Sequence, residues 1–121
     1  MDKVEPTGSA RNQTILYVED RARWRTTVAR HLSEAGYCVL LFSKMSEAQE
    51  YYAEHESEIT LALCDGSVNK TGDGRKWAAA LHKAGKKSVV LSSEGAEGVP
   101  FVSKGYWSKE LLPTLEQVIG G

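Results

Sequence analysis

The chain has 121 residues, enough for one domain with a real core but not for a second module. Fifteen basic and sixteen acidic residues give a formal net charge of -1, so no overall field attracts nucleic acid or an anionic membrane. No apolar stretch approaches the roughly 20 residues that span a bilayer, and the polar N-terminus has no signal-peptide core. We therefore expect a cytoplasmic protein that binds neither nucleic acid nor membrane.

Residues 1–12 are polar and rich in helix breakers, which predicts a flexible tail ahead of a single domain over 13–121. TILYV (14–18) is a short apolar strand. The next segment places four residues on one helical face and ends at Gly36, a helix stop; the four are Trp24, Val28, Leu32 and Ala35.

The rest of the chain repeats the alternation of strand and helix. YCVLLF (37–42) predicts a second strand, and Ser46 to Gln49 have capping-box spacing that opens a helix through about His55. Further strands are predicted at 59–64, 87–92 and 99–103, and further helices at 75–85 and 108–119. Pro113 leaves the first residue of the last helix undetermined. The pattern predicts an α/β sheet covered by helices on both faces. Cys38 and Cys64 each lie in an apolar run and are expected to be free thiols.

Acidic residues follow two of the predicted strands. Glu19 and Asp20 come directly after TILYV, and Asp65 ends the apolar run ITLALC. If these strands are neighbours, the three carboxylates meet within a few ångströms, where they repel unless a proton or a cation intervenes. Mg²⁺ is the cation best suited to offset this repulsion, because it prefers carboxylate, carbonyl and water oxygens as ligands.

Two further strand ends add a hydroxyl, Ser92, and an ammonium, Lys104. An acid pair, a lone aspartate, a hydroxyl and a lysine suit a carboxylate that becomes phosphorylated, with metal and ammonium neutralising the phosphoryl oxygens.

From about Thr14 to Ile119 the sequence resembles the CheY-like receiver domain of two-component response regulators. Five motifs carry the resemblance in order: YVED, LCD, VLSS, PF and SK, which contain Glu19-Asp20, Asp65, Ser92, Phe101 and Lys104. It implies a flavodoxin-like, doubly wound, five-stranded parallel sheet in the order 2-1-3-4-5.

The resemblance also implies a role for each matched residue. Asp65 would accept phosphate from a histidine kinase or phosphotransfer protein. The protein would catalyse only its own phosphorylation and dephosphorylation at Asp65. Mg²⁺ would be held by Glu19, Asp20, Asp65 and the Ser67 carbonyl. Lys104 and Ser92 would bind the phosphoryl group, and Ser92 and Phe101 would change conformation as the switch residues. Ser67 and Glu94 would tune the rate of hydrolysis. Arg23 and Arg25 would form the docking site for the phosphate donor.

The sequence departs from the family between the fourth and fifth strands. Only seven residues separate Ser92 from Pro100, too few for the usual fourth helix. Parallel pairing remains possible, but a hairpin that carries Lys104 away from Asp65 is an alternative. We expect an uncovered strip beside the fifth strand and the last helix, bound by a downstream protein or by a second copy.

Two smaller departures concern loops near the predicted site. Gly105 follows Lys104 where the family has proline, which leaves the placement of Lys104 less constrained. The loop GSVNKTGDG after Asp65 has one residue more than expected and lacks the usual proline.

Three rival functions remain open. A flavin or nucleotide carrier shares this architecture, although Glu19 and Asp20 would repel a naked phosphate. A haloacid-type Mg²⁺ phosphohydrolase would need a second aspartate where Ala22 stands. A pseudo-receiver, an interaction module that is never phosphorylated, is the strongest rival. Some of the residues also have simpler interpretations. Ser93 could supply the hydroxyl in place of Ser92, and Phe101 could be an ordinary core residue. Arg23 and Arg25 could belong to a solvated helix face.

Overall fold

The computed structural model describes residues 1–68 and 72–120. Strands and helices alternate along these residues, as the sequence predicts. Their bounds are β1 (Asp2–Val4), β2 (Thr14–Val18), α1 (Ala22–Glu34), β3 (Cys38–Phe42), α2 (Met45–His55), a 3-10 turn (Glu56–Glu58), β4 (Leu61–Asp65), α3 (Asp73–Lys83), β5 (Ser88–Ser92), β6 (Phe101–Ser103) and α4 (Trp107–Gly120).

One mixed sheet of six strands forms the centre, in the order β1-β3-β2-β4-β5-β6. The five strands from β2 to β6 are parallel and follow the predicted order, which confirms the fold class. The sixth strand, β1, adds antiparallel to the edge of β3, with Asp2 opposite Leu41. The sequence predicts a flexible tail here and not a strand, because three residues with one apolar side chain carry no periodic signal.

Helices cover both faces of the sheet. On one face α1 and α4 enclose a core that includes Tyr17, Leu63 and Leu91, and on the other α2 and α3 enclose one that includes Val18 and Val90. All five residues of β4 are buried, which explains its unbroken apolar run. The predicted helical face of α1 is also present: Val28 and Leu32 are buried, and Trp24 and Ala35 pack against the core at its margin.

The N-terminal segment after β1 closes over the end of α1. The Ser33 hydroxyl donates to the Glu5 carbonyl at 2.6 Å, and the amides of Thr7 and Gly8 donate to the Ser33 carbonyl at 3.0 and 3.2 Å. The approach at Gly8 is so close that a Cβ there would lie 2.0 Å from the Glu34 carbonyl oxygen. Backbone groups at the C-terminal end of α1 thereby gain partners within the chain.

The connection between β5 and β6 contains no helix over residues 93–100. Its strands are nevertheless parallel, with Val90 opposite Phe101, so the hairpin alternative is wrong. Ala96 and Val99 of the connection pack against the core beside Val90, which is fully buried. The expected uncovered strip is therefore partly closed by the connection itself, and Phe101 at its margin is 39% exposed.

Local helix signals needed small corrections. α2 begins at Met45 with Lys44 in the capping position, so Ser46 lies inside the first turn and is not the cap. α3 begins at Asp73, two residues before its prediction, and Pro113 lies within α4. Cys64 is buried, and Cys38 is half-buried at the sheet margin; both are free thiols.

Candidate phosphoacceptor site

Four strands deliver polar side chains to one rim of the sheet. Glu19 follows β2, Asp65 ends β4, Ser92 ends β5, and Lys104 follows β6. Parallel strands place their carboxyl ends at the same edge, and the registers align Asp65 with Leu91 and Ser92 with Ser103. The residues predicted to surround one point are therefore brought to that point by the order of the strands.

Three carboxylates form the centre of this rim. Glu19, Asp20 and Asp65 each offer an oxygen, and these atoms lie within 4.8 Å of one another. The Glu19 side chain is fully buried, Asp65 is 1% exposed, and Asp20 faces solvent. Two buried acids and one exposed acid, all with oxygen donors, fit a hard divalent cation that keeps some of its water. Glu19, Asp20 and Asp65 are the residues that could hold Mg²⁺.

Glu19 has the most perturbed carboxyl group of the three. Its burial, followed by its hydrogen bond and repulsion with Asp65, raises the pKa to about 7 from its ordinary value of 4.5. The Arg21 amide at 3.2 Å and the Lys104 ammonium act in the opposite direction by stabilising the charged form. The Tyr17 hydroxyl also donates to Glu19, at 3.5 Å.

Lys104 bridges the two buried acids. Its ammonium lies 3.0 Å from Glu19 Oε1 and 3.1 Å from Asp65 Oδ1, and its side chain is only 10% exposed. The Lys104 amide donates to the Ser92 carbonyl at 2.9 Å, which attaches the lysine to the end of β5. The ammonium also lies 4.6 Å from the centre of the Trp24 ring. A fixed positive charge thus stands at the mouth of the acidic group.

The loops around Asp65 supply further donors. The Ser67 amide and hydroxyl approach Asp65 Oδ1 at 3.4 and 3.5 Å. The Ser92 hydroxyl is buried and accepts a hydrogen bond from the Glu94 amide at 3.1 Å. The loop with one extra residue continues through 69–71, which lie outside the described residues, so its predicted effect on a metal site stays a prediction.

Other predicted residues lie at the margin. Phe101 faces solvent at the start of β6, because the face it shares with Val90 has no covering helix at that point. Exposed Glu94 is 3.8 Å from Arg75 of α3. Arg23 is exposed, whereas Arg25 donates to the Glu19 carbonyl at 2.9 Å and so helps to shape the site.

Sequence reasoning missed two contributors to the site. The spacing of Trp24 predicts only that it lies on the core face of its helix, and nothing in it indicates that the ring contacts Lys104. The sequence predicts Gly66 only as part of a loop, yet a Cβ there would lie 2.7 Å from both Cβ and Oγ of Ser92. A glycine directly after the predicted phosphoacceptor was the available signal for that close approach.

Comparison with solved structures identifies the architecture. A response regulator receiver protein from Sinorhizobium medicae WSM419 superposes with a TM-score of 0.76 at 21% identity, covering 90% of this chain and 95% of that one. A receiver domain protein from Clostridium thermocellum gives 0.75 at 18%, covering 89% and 94%, and chemotaxis protein CheY4 of Vibrio cholerae gives 0.72 at 19%, covering 88% and 98%.

This chain has the receiver-domain fold. The superposition covers most of both chains in each case, so the receiver-like arrangement extends over nearly the whole molecule. No protein-family model matches the sequence, and no curated protein matches it either. Within the part of the receiver-like chain that the structure describes, no helix is long and apolar enough to cross a membrane.

Proposed function

We propose that the chain is a phosphoacceptor receiver domain of a two-component or phosphorelay system, acting in the cytoplasm. Asp65 would take a phosphoryl group from the phosphohistidine of a kinase or phosphotransfer protein. The observation that supports this most directly is the Lys104 ammonium, which lies 3.1 Å from Asp65 at the rim where three carboxylates meet. In this proposal the protein phosphorylates and dephosphorylates only its own Asp65 and acts on no separate substrate.

The proposed chemistry is a displacement at phosphorus. An oxygen of Asp65 forms a bond to the phosphorus atom while the bond from phosphorus to the donor imidazole nitrogen breaks. The electron pair stays on the imidazole, and Asp65 becomes an acyl phosphate. Lys104 would pair with a phosphoryl oxygen, which offsets the negative charge gathered at the reacting centre.

Mg²⁺ is the proposed cofactor. When bound, it supplies positive charge that offsets the repulsion between the acids and the incoming phosphoryl group. Glu19, Asp20 and Asp65 would hold the ion, with the Ser67 carbonyl as a fourth protein ligand. Because burial and Asp65 raise the pKa of Glu19 to about 7, a proton would compete with the metal for this carboxylate at and below that pH.

The proposed response begins at Ser92 and Phe101. The Ser92 hydroxyl would exchange its bond from Glu94 for one to a phosphoryl oxygen, and the exposed Phe101 ring would turn inward. Ser67 and Glu94 would tune hydrolysis, since both lie beside the groups that face the phosphate. The surface around Phe101 and α4 would then bind a downstream protein or a second copy of the chain.

Small-angle scattering before and after phosphorylation tests the self-association part of this response. An increase in mass towards a dimer, lost on Phe101→Ser, is the expected result. A monomer in both states at high concentration would leave a downstream protein as the only partner for this surface.

The donor-docking surface is proposed on α1. Arg23 is the better candidate, because it is exposed and, among the described residues, forms no ion pair, whereas Arg25 is bonded to the Glu19 carbonyl. Arg23→Glu should slow phosphotransfer from a protein donor while leaving phosphorylation by acetyl phosphate unchanged. An equal loss with both donors would assign Arg23 to the chemistry at Asp65 and not to docking.

One observation favours the pseudo-receiver alternative: residues 93–100 form no helix, so part of the usual response surface is missing. Incubation with acetyl phosphate and Mg²⁺ followed by intact mass spectrometry separates the two functions. We expect one added phosphoryl group on the native chain and none on Asp65→Asn or in excess EDTA. No addition to the native chain, or equal addition to Asp65→Asn, would reject the phosphoacceptor function and favour the pseudo-receiver.

A further inference from the structure

Lys104 directly follows β6, and hydrogen bonds of the turn hold its backbone at the end of that strand. The Lys104 amide is bonded to the Ser92 carbonyl, and the amides of Gly105 and Tyr106 donate to the hydroxyl and the carbonyl of Ser103. The lysine side chain itself is a flexible four-carbon stem that can adopt many rotamers. Its ammonium lies between the two buried acids, and a further contact that does not depend on their charge would keep it there when a cation binds them.

The face of the Trp24 indole ring provides this contact. The Lys104 ammonium lies 4.6 Å from the ring centre, within the range of a cation–π interaction, and tryptophan is the strongest aromatic partner for a cation. The lysine side chain is 10% exposed, so the attraction acts with little screening by water. Trp24 also lies on α1, and hence does not depend on the loop that carries Lys104.

The Trp24 ring also packs against a second aromatic ring. The Trp107 ring at the start of α4 meets it edge to face with 6.1 Å between centroids. Trp107 in turn packs edge to face against His31, with 5.1 Å between centroids. The aromatic surface beneath Lys104 is therefore supported by two helices.

We propose that Trp24 is the positioning residue for Lys104, holding its ammonium beside Asp65 through the face of the indole ring. This rests on the proposed phosphoacceptor function only for its effect on rate. With a divalent ion bound by Glu19 and Asp65, the acids alone would hold the ammonium less firmly, because the ion would offset their attraction for it. The neutral ring is unaffected by that ion and keeps the ammonium available for the phosphoryl oxygen.

Two substitutions at Trp24 separate the ring from its bulk. Trp24→Phe keeps an aromatic face, while Trp24→Leu keeps an apolar side chain without one. Trp77→Leu is the matched control, because Trp77 is also a half-buried tryptophan on a helix but packs against Tyr52 on the opposite face of the sheet. Urea unfolding of all three variants establishes that each is folded.

The first measurement needs no phosphorylation. Protons of the Lys104 ε-methylene, next to the ammonium, should show an upfield ring-current shift in NMR spectra of the metal-free native chain. We expect that shift to be lost in Trp24→Leu, largely kept in Trp24→Phe, and kept in Trp77→Leu. The same spectra recorded with saturating Mg²⁺ should still show it in the native chain.

The second measurement is the rate of phosphate addition from acetyl phosphate. In Trp24→Leu the rate at saturating donor should fall about five- to thirty-fold, with the half-saturating donor concentration unchanged. Trp24→Phe should recover most of the rate, and Trp77→Leu should stay within about twofold of the native chain.

Two results would overturn the proposal: an ε-methylene shift that persists in Trp24→Leu, or equal losses of rate in Trp24→Leu and Trp77→Leu. The outcome for the proposed function is separable. If the native chain gains no phosphate while the ring-current shift is lost as expected, Trp24 still positions Lys104 and only the phosphoacceptor function fails.

Discussion

The Lys104 ammonium lies 3.1 Å from Asp65 Oδ1, although the strands that carry these two residues are separated by β5. Two strand spacings amount to about 10 Å, which only a long side chain crosses. Lysine extends over the end of β5, where Ser92 stands, and thereby joins the last strand of the sheet to the central one. This contact makes the position of β6 matter to the chemistry of β4.

Removing this cation should destabilise the metal-free protein. Lys104→Met leaves Glu19 and Asp65 buried without their shared partner, and we expect a loss of about 3 kcal/mol in the free energy of unfolding at pH 8. Urea denaturation in EDTA measures it. The loss should shrink at pH 5.5, where Glu19 is protonated, and on addition of Mg²⁺. Lys109→Met, an exposed lysine of α4, is the control, and a loss as large there would contradict the argument.

The raised pKa of Glu19 predicts how stability depends on pH in EDTA. Because the folded-state pKa is about 7 and the ordinary value is 4.5, the folded chain holds the proton more tightly than the unfolded chain. The contribution of this group should therefore fall as pH rises from 4.5 to 7, by up to about 3 kcal/mol. Unfolding curves from pH 5 to 8 measure this change. A slope in Glu19→Gln as steep as in the native chain would assign the effect to another group.

The same carboxyl group predicts the pH dependence of metal binding. A divalent ion needs the charged form of Glu19, so the affinity for Mg²⁺ should fall by up to about tenfold for each pH unit below 7 and level off above it. Isothermal titration at pH 6, 7 and 8 tests this. Glu19→Gln should bind more weakly and show a flatter profile; an affinity independent of pH in the native chain would contradict the prediction.

Gly66 should tolerate no side chain while Ser92 is present. A Cβ at position 66 would lie 2.7 Å from Cβ and Oγ of Ser92, so Gly66→Ala must displace the end of β5. We expect a loss of about 1 to 3 kcal/mol in unfolding free energy and slower phosphate addition. Combining it with Ser92→Gly should restore much of the stability but not the rate. Failure of the double variant to regain stability would reject this clash as the cause.

The N-terminal segment should matter for stability and not for chemistry. Gly8→Ala places a Cβ 2.0 Å from the Glu34 carbonyl oxygen, which should displace the segment and cost about 1 to 3 kcal/mol. Phosphate addition from acetyl phosphate should stay within about twofold of the native rate. Gly95→Ala is the control, since a Cβ there has no neighbour within 4 Å among the described residues. Equal destabilisation by the two substitutions would contradict the prediction.

The sequence was sufficient for the parallel sheet, because its signals are local and strong. β4 is apolar from Leu61 to Cys64. The acids, the hydroxyl and the lysine each lie where a strand ends, and the order of the parallel strands brings them to one site. The close contacts could not be predicted from the sequence. Nothing near Trp24 in sequence indicates Lys104, and nothing near Asp2–Val4 indicates β3, since both contacts join distant parts of the chain. The predicted N-terminal cap of α2 is wrong for a different reason. Lys44 occupies the N-cap position with an extended backbone, and no side chain forms a hydrogen bond to the helix end there.

The antiparallel direction of β1 decides where the N-terminus emerges. Asp2 pairs with Leu41 near the carboxyl end of β3, so Met1 leaves the sheet at the same rim as Asp65, about two strand spacings from β2. α4 runs the other way, and its Ile119 carbonyl accepts a hydrogen bond from Lys87, which precedes β5 at the far rim. A fluorophore or affinity tag joined to residue 1 would therefore lie at the rim that holds Asp65, whereas one joined after α4 would lie at the far rim.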